Sequence, residues 1–587
     1  MRTPPRPNLA RKARIASLPA PTGGLNARDA YADMPESDAV IMENMFPMPS
    51  YVMPRNGNQI WASGLPGAVK TIATYSPPSG TRKMFAWANG GVYDVTAQGA
   101  VGAAVVNGNT ADAWQVVNFG AGGGQYLVAV NGQDNMLLYN GSGWESIGNG
   151  TGAIISSATA VGTTCTINTT TAHNLSTGDA VTVTGATPAA YNVSNAAITV
   201  TGTNSFTYTA GSAPGGAMTV IGTYSYTPAI SGVSSNTFVN VNVYQGRLFF
   251  IAKNSMQVWY LPLNSVGGTA NYIDISQQTY LGGSVVAMAT WTLQTSNGMT
   301  QLAAFVTSEG EVVTFQGNDP SLAASWTLVG TFRIGRPVGY RCLAKIGSDI
   351  AVICADGLVP LSKAALTDRQ SRGIAISDKI VNLINTDVQN YAQYPGWQVL
   401  LYPIGNKVIV NVPAPDATYQ YVMNTLNGSW TKFTGWPANC WALMGDLLFY
   451  GASGFVYQAD VGQTDSGTAI QCKAIQAPTY CGSHEQKMFS AIRPVVVSNG
   501  PVTMSVQICP DFNFTTLPAI TKFISATYTY WSPPWFSPWS AVQQVYKTWT
   551  PTSGIGYSGA VSIGMANLGA SIQWQSSDID YQQGGPL

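Results

Sequence analysis

Met84-Phe85-Ala86-Trp87-Ala88-Asn89-Gly90-Gly91-Val92-Tyr93-Asp94-Val95 decides the fold class: two short apolar runs flank a Gly-rich turn. Aromatic and β-branched residues suit a pleated surface, and Asn-Gly supplies the positive-φ pair that a two-residue hairpin turn requires. The unit recurs down the chain. Residues 126–130, Asn131-Gly132 and 136–139 repeat it, followed by Gly143-Trp144. Further copies open at Arg247, Leu302, Ile350, Lys407 and Leu447, with turns such as Ser308-Glu309-Gly310, Ala355-Asp356-Gly357 and Ala452-Ser453-Gly454. Once one long insertion is set aside, neighbouring copies lie roughly forty to sixty residues apart, the length of a four-stranded propeller blade. The expectation is an all-β chain: a β-propeller of six or seven blades, with an inserted small β-module and a C-terminal β-sandwich region. The competing reading of the same pattern is a set of unrelated sandwich hairpins.

Composition agrees with the class. The chain has 587 residues, enough for two to four domains, and holds 62 Gly, 16 Trp and 28 Tyr. Charged residues make up 9% of it, with zero formal net charge, against about 25% in an ordinary soluble domain. So few charges protect a monomer poorly from self-association. One explanation is a β surface made polar by Ser, Thr, Asn and Gln; the favoured one is burial of much of that surface in a permanent homo-oligomer. Cysteines 165, 342, 354, 440, 472, 481 and 509 are odd in number, scattered and without a CxxC pair. They read as free thiols of a reducing compartment, not as a disulfide framework. Two stretches read as helices, 376–391 and 35–45; the second has Asp33 as cap, Pro35 in the first turn and an apolar stripe of Ala39, Met42 and Met45. The first fourteen residues carry five basic groups, three prolines and no acid, which reads as a disordered arm that could also touch DNA or an acidic surface. No apolar core of a secretory signal follows it, and no run approaches the ~20 residues that cross a bilayer.

Ahead of the repeat stands Pro21-Thr22-Gly23-Gly24-Leu25-Asn26-Ala27-Arg28-Asp29, then Met34-Pro35, Ala39, Glu43-Asn44-Met45-Phe46-Pro47, Val52 and Arg55-Asn56-Gly57. As an ordered string this resembles the N-terminal segment of the tail-nozzle (tail tubular protein B-like) family of short-tailed bacteriophages, the podoviruses. The C-terminal end, with Gly554-Ile555-Gly556-Tyr557, Ile572-Gln573-Trp574 and Ile579-Asp580-Tyr581, is similar to the same family. The division drawn from composition and repeat is a basic arm at 1–20, the N-terminal segment and first blades at 21–152, and an inserted module at 153–222. The remaining blades follow at 223–464 and the C-terminal sandwich at 465–587. The Thr- and Ala-rich insertion reads as about six short strands, serving as a docking platform or as decoration. The resemblance implies a structural virion protein, assembled in the bacterial host cytoplasm and carried in the virion tail. It implies a homo-oligomeric ring, expected to be a hexamer, that stacks on the tail adaptor ring and supports fibres or spikes. Such a ring meets the host envelope during infection and encloses viral DNA only in transit. A DNA conduit gains from few positive charges, since each neutralised phosphate adds retention.

A search for chemistry leaves no catalytic, metal-binding or cofactor-binding residue assigned, no cofactor, and the expectation that the chain is not an enzyme. His173 and His484 are far apart; Cys481 and His484, with Cys472 nearby, lack further zinc ligands at suitable spacing. Gly554 to Gly559 matches G-x-G-x-x-G, but strand-like residues follow where phosphate binding needs a helix N-terminus. Asp349, Asp356, Asp446 and Asp460 are the carboxylates a glycoside hydrolase would draw on, and each sits in turn sequence. The aromatic run at 528–539, including Trp535, fits corner packing or a glycan-binding surface. The alternative function is therefore a glycan-binding tail propeller, and after it a polysaccharide hydrolase.

Overall fold

The computed structural model describes residues 13–122, 124–148, 150–173, 175, 177–295, 298–366, 373–514, 521–524 and 544–584. Each of the seven hairpins read from the sequence lies in its own antiparallel blade, six of them in separate sheets and the one at Lys407 in a sheet that runs on into the C-terminal region. Blade 1 is Thr71–Tyr75, Lys83–Ala88 and Gly91–Asp94, with Val106 bridged to Val92. Blade 2 is Gln115–Ala121, Gly124–Val130, Met136–Tyr139 and Trp144–Ile147; blade 3 is Phe238–Tyr244, Arg247–Ala252, Gln257–Tyr260 and Asn271–Asp274. Blade 4 is Val285–Thr295, Gly298–Thr307, Glu311–Gly317 and Trp326–Arg333; blade 5 is Leu343–Ile346, Asp349–Cys354 and Gly357–Pro360. Blade 6 is Gln398–Tyr402, Lys407–Val412, Tyr419–Asn424 and Trp430–Phe433, and blade 7 begins with Cys440–Met444, Leu447–Gly451 and Ser453–Ala459. Each blade packs on the next, and blade 7 packs on blade 1. Among the described residues the ring therefore has seven blades.

Period-2 alternation builds the ring. In the second strand of blade 1, Phe85 and Trp87 face blade 2 beside Trp114, Leu127 and Leu137, while Met84 and Ala86 face blade 7 beside Cys440 and Phe449. Val128 and Val130 of blade 2 turn the other way, toward Leu248 and Phe250 of blade 3. Phe249 and Ile251 then meet Ala303 and Phe305 of blade 4. Both faces of a blade are buried, so its middle strands read as nearly continuous apolar runs. Truncating one of the buried tryptophans costs about 3–5 kcal/mol by the usual cavity arithmetic.

The ring is closed by a strand from far upstream. Asn58–Ala68 pairs antiparallel with Ser453–Ala459 and supplies the fourth strand of blade 7. Arg55, at its entrance and 1% exposed, donates to both carboxylate oxygens of Asp465 at 2.8 and 2.5 Å. Its guanidinium lies 4.6 Å from the Trp436 ring centroid and also donates to Asn44 Oδ1 and to the carbonyls of Asn56 and Thr434. A second arginine spans the ring. Arg341, just ahead of blade 5, donates to the Lys70 and Trp114 carbonyls and to Thr71 Oγ1, at the starts of blades 1 and 2 on the opposite side. Asn240 of blade 3 donates to the Tyr340 carbonyl beside it.

Both termini build the sandwich. One sheet centres on Ile572–Gln583 and Lys487–Ser498 and takes in Ala13–Pro19, Met45–Pro47 and Val52–Pro54. The other runs from Asp38–Glu43 through Ile470–Gln476, Gly559–Asn567 and Val502–Pro510, and continues into blade 6. Leu18, Met42, Ile492, Val506, Ile563 and Trp574 share the core between them. The insertion is a six-stranded sheet, from Ile155–Val161 to Thr223–Thr227, with its own apolar core.

Two expectations are corrected. Residues 35–45 are not a helix: Asp38–Glu43 is a strand, with a register shift between Ala39 and Ile41. That bulge pushes the buried positions Ala39, Met42 and Met45 onto a spacing of three, which imitates a helical stripe. Pro35 opens only a turn, its carbonyl accepting from Asp38 N at 2.9 Å. Nor is the stretch 1–20 wholly an arm, because Ala13–Pro19 is a paired strand with Leu18 buried; residues 1–12 lie outside the described residues. The other expected helix is present, as Val381–Tyr391 behind a short 3-10 turn.

The Gly-Gly pair of the N-terminal string is a close-approach device. A Cβ on Gly23 would lie 1.9 Å from Asp38 Oδ1, and one on Gly24 (φ +79) 2.5 Å from the Trp430 carbonyl. Asp38, 1% exposed, accepts from Lys379 Nζ at 2.8 Å and from Asn26 Nδ2 at 2.7 Å. Removing Asp465 leaves the Arg55 cation buried without its carboxylate, so Asp465→Ala is expected to cost about 3–5 kcal/mol in denaturant unfolding. A cost below ~1 kcal/mol would show that the clamp holds nothing.

Candidate functional site: a polar cleft beside blades 3 to 5

A cleft of about 440 Å³ opens beside the inner strands of blades 3, 4 and 5, lined among others by Asn242, Tyr244, Gln245, Thr290, Gln301 and Lys345. Most of its polar atoms already bind across blades. Asn242 Nδ2 donates to the Met288 carbonyl at 2.7 Å, and the Thr290 hydroxyl to the Val243 carbonyl at 2.8 Å. The Tyr244 phenol, its pKa pushed up by burial, lies 3.0 Å from the Gln301 carbonyl and 2.8 Å from that of Gly317. Gln245 Nε2 donates to Gln301 Oε1 at 3.3 Å. What these bonds leave for a ligand is the exposed Lys345 ammonium and the remaining amide positions of Gln245 and Gln301. That set can hold a polar or anionic group. No sequence motif marks it, because its residues come from separate strands and turns of three blades.

The residues weighed for catalysis fall elsewhere and apart. Asp349, at a hairpin end of blade 5, accepts from Ser362 Oγ and from the amides of Ile350 and Ser362. Asp356 occupies the next turn, against Gly335. Asp460 (φ +61) pairs with Lys407 at 2.8 Å, both side chains buried, while the carbonyl of Asp446 accepts from the Tyr402 hydroxyl at 3.2 Å. All four thus sit at hairpin turns or, for Asp460, in an ion pair. His173 is buried in the inserted module; its Nδ1 accepts from Leu175 N at 3.0 Å, and Nε2 faces the Gly202 carbonyl at 3.0 Å. The His484 ring lies tilted against Tyr480, centroids 4.5 Å apart, and Cys472 Sγ is committed to the Asn44 carbonyl at 3.2 Å. Among the described residues no group of three or more His, Cys, Asp or Glu could hold a metal ion. The G-x-G-x-x-G match joins strand Thr550–Gly556 to strand Gly559–Asn567, with the Asp511 carboxylate accepting from Tyr557 N and Ser558 N. The aromatic run 528–539 lies outside the described residues. No helix among them is long and apolar enough to cross a membrane.

No protein-family model matches the chain, and no curated protein does. Solved structures it is similar to include YCF48 bound to D1 peptide, at 9% identity over 67% of this chain and 93% of that one, with a TM-score of 0.25. Exo-β-1,3-galactanase from Phanerochaete chrysosporium aligns at 12% identity over 79% of this chain and 100% of the enzyme, TM-score 0.22. The phage phi92 endosialidase aligns at 12% identity over 83% and 73%, TM-score 0.23. Likenesses this distant carry no argument about a site; the seven-bladed ring stands on its own strand pairing.

The described cysteines are all free, and six of the seven are buried. Burial pushes the Cys342 and Cys472 thiols up to about 12 and Cys440 up to about 11. At pH 8 a thiol reagent is expected to modify at most Cys481 in the native protein and all seven in denaturant. Rapid native modification of several would contradict the packing described.

Proposed function

We propose that this chain is a structural subunit of a short-tailed phage virion, a tail-nozzle-like protein that assembles as a ring around the DNA-ejection channel. In this reading the ring stacks on the tail adaptor, carries fibres or spikes on its outer wall and meets the host envelope during infection. Hexameric order comes from the family resemblance. The observation that carries the assembly is an apolar rim on blades 3 and 4. Tyr280, 85% exposed, and Leu281 project from a loop whose two amides donate to the buried Glu311 carboxylate at 3.0–3.1 Å. Exposed Leu328 and Val329 lie nearby on the outer strand of blade 4, whose Thr331 hydroxyl binds the Gln278 carbonyl of the same loop. A buried carboxylate is thus spent on presenting apolar side chains to solvent, at an open sheet edge in a chain poor in charge. A second exposed apolar pair, Met488 and Ile555, sits in register on the sandwich. Two different patches on one chain suit head-to-tail contacts between copies, which close into rings.

The N-terminal string adds support, because its residues do structural work: Gly23, Gly24, Asn26 and Arg55 all lock elements together. The second reading, glycan binding, is favoured by the cleft with Lys345. End-on electron micrographs and native mass measurement test the assembly: a closed ring with a central hole is expected, and Leu328→Glu should yield folded monomers. Monomers at every concentration of the unaltered chain would overturn the proposal. Glycan-array binding lost in Lys345→Ala would favour the second reading.

A further inference from the structure

The cleft beside blades 3, 4 and 5 has fixed walls and a single charge. Its strands start where the ring is tied across: Asn240 donates to the Tyr340 carbonyl, and Arg341 to the Lys70 and Trp114 carbonyls and to Thr71 Oγ1. Gln245 and Lys345 stand five and four residues further along, roughly 13–17 Å at the rise of a strand, so the cleft opens at the end away from these ties. Bonds between blades hold its walls. Asn242 Nδ2 donates to the Met288 carbonyl, the Thr290 hydroxyl to the Val243 carbonyl, and the Tyr244 hydroxyl to the carbonyls of Gln301 and Gly317. A site fixed before its ligand arrives loses little ordering entropy on binding. Gln245 breaks a local rule. It stands in the left-handed region (φ +48) beside Gly246, a turn position that Asn fills at Asn89, Asn254 and Asn406. The shorter Asn side chain suits that backbone better. What glutamine adds is reach: its Nε2 donates to Gln301 Oε1 on blade 4 at 3.3 Å. That bond leaves Gln245 Oε1 to accept and Gln301 Nε2 to donate. Among the described residues that line the cleft, Lys345 is the one charged side chain, exposed and with no Asp or Glu in the lining beside it.

We propose that the cleft is a receptor site for a carboxylated sugar, one uronic-acid unit of an acidic glycan, which it holds without cleaving. The inference rests on the glycan reading of this cleft and narrows its ligand. The Lys345 ammonium takes the carboxylate, the amides of Gln245 and Gln301 take neighbouring ring hydroxyls, and the apolar lining of Val243, Ala289 and Leu343 meets the CH face of the ring. Sugar hydroxyls both donate and accept, as this pair of amides does. A phosphoryl group is better met by an arginine fork or several cations, and the lining offers one ammonium. The volume of about 440 Å³ lies in the range of small-molecule pockets, and a bare carboxylate ion leaves most of it unfilled. Glycoside hydrolysis by the usual routes needs two carboxylates, and the described lining has none, so the bound glycan leaves intact. In a ring the site recurs in every copy, and weak single contacts then combine on one polymer.

Calorimetry and saturation-transfer NMR of the full chain test the site, with D-glucuronate and D-galacturonate as probes and D-glucose and acetate as controls. At least one uronate is expected to bind with a Kd of about 1 mM, the strength open to so small a ligand. Glucose and acetate should bind about tenfold more weakly, and Lys345→Met should cost about tenfold in uronate affinity, largely restored in Lys345→Arg. Gln245→Asn separates binding from folding: uronate affinity should fall about threefold or more, while Tm stays level or rises because Asn suits the turn. A glutamine with only a structural role would lower Tm and leave affinity alone. p-Nitrophenyl β-D-glucuronide should remain intact. No saturable binding of either uronate, affinity indifferent to Lys345→Met, or release of nitrophenol would each overturn the proposal. Glucose bound as tightly as the uronates would remove the sugar acid and keep the glycan reading; uronate binding no tighter than acetate would remove both.

Discussion

One strand pairing carries the rest: Asn58–Ala68 beside Ser453–Ala459, entered through the buried Arg55–Asp465 clamp. Seven twisted blades with apolar faces can bury those faces only against one another, so the ring must close or expose a blade. Closing with an upstream strand ties the start of the propeller to its end. The clamp sits where the N-terminal segment, blades 6 and 7 and the exit to the sandwich converge, since Arg55 touches Asn44, Thr434, Trp436 and Asp465. Its desolvation is offset by a two-toothed carboxylate bond, three further acceptors and an aromatic face.

The same closure makes the chain's two ends one body. Strands from 13–54 pair with strands from 470–583, and the second sandwich sheet runs on into blade 6. Propeller and sandwich are thus joined by continuous hydrogen bonding, while the inserted module hangs on a stalk. The carboxylates and histidines that enzyme readings would recruit are, in the positions traced, partners of turns, lysines and carbonyls.

Much of the fold was legible because hairpin chemistry is local. Asn89-Gly90 and Asp356-Gly357 mark turns wherever they occur, and both faces of each blade demand apolar residues. What was not legible is non-local. The bulge at Ala39–Ile41 gave a strand the spacing of a helix, and the basic, proline-rich opening hid a strand at Ala13–Pro19. Arg341 reads as an ordinary surface arginine until the ring sets it opposite Lys70 and Trp114. The cleft was invisible for the same reason, because Asn242, Thr290 and Lys345 come from three blades and share no motif.

The account stands or falls on ring closure, and an electron cryo-microscopy map of the purified chain tests it most directly. It predicts seven radial sectors, with density for Asn58–Ala68 hydrogen-bonded alongside Ser453–Ala459 in one of them. A different number of sectors, or that strand lying on any other sheet, would contradict it.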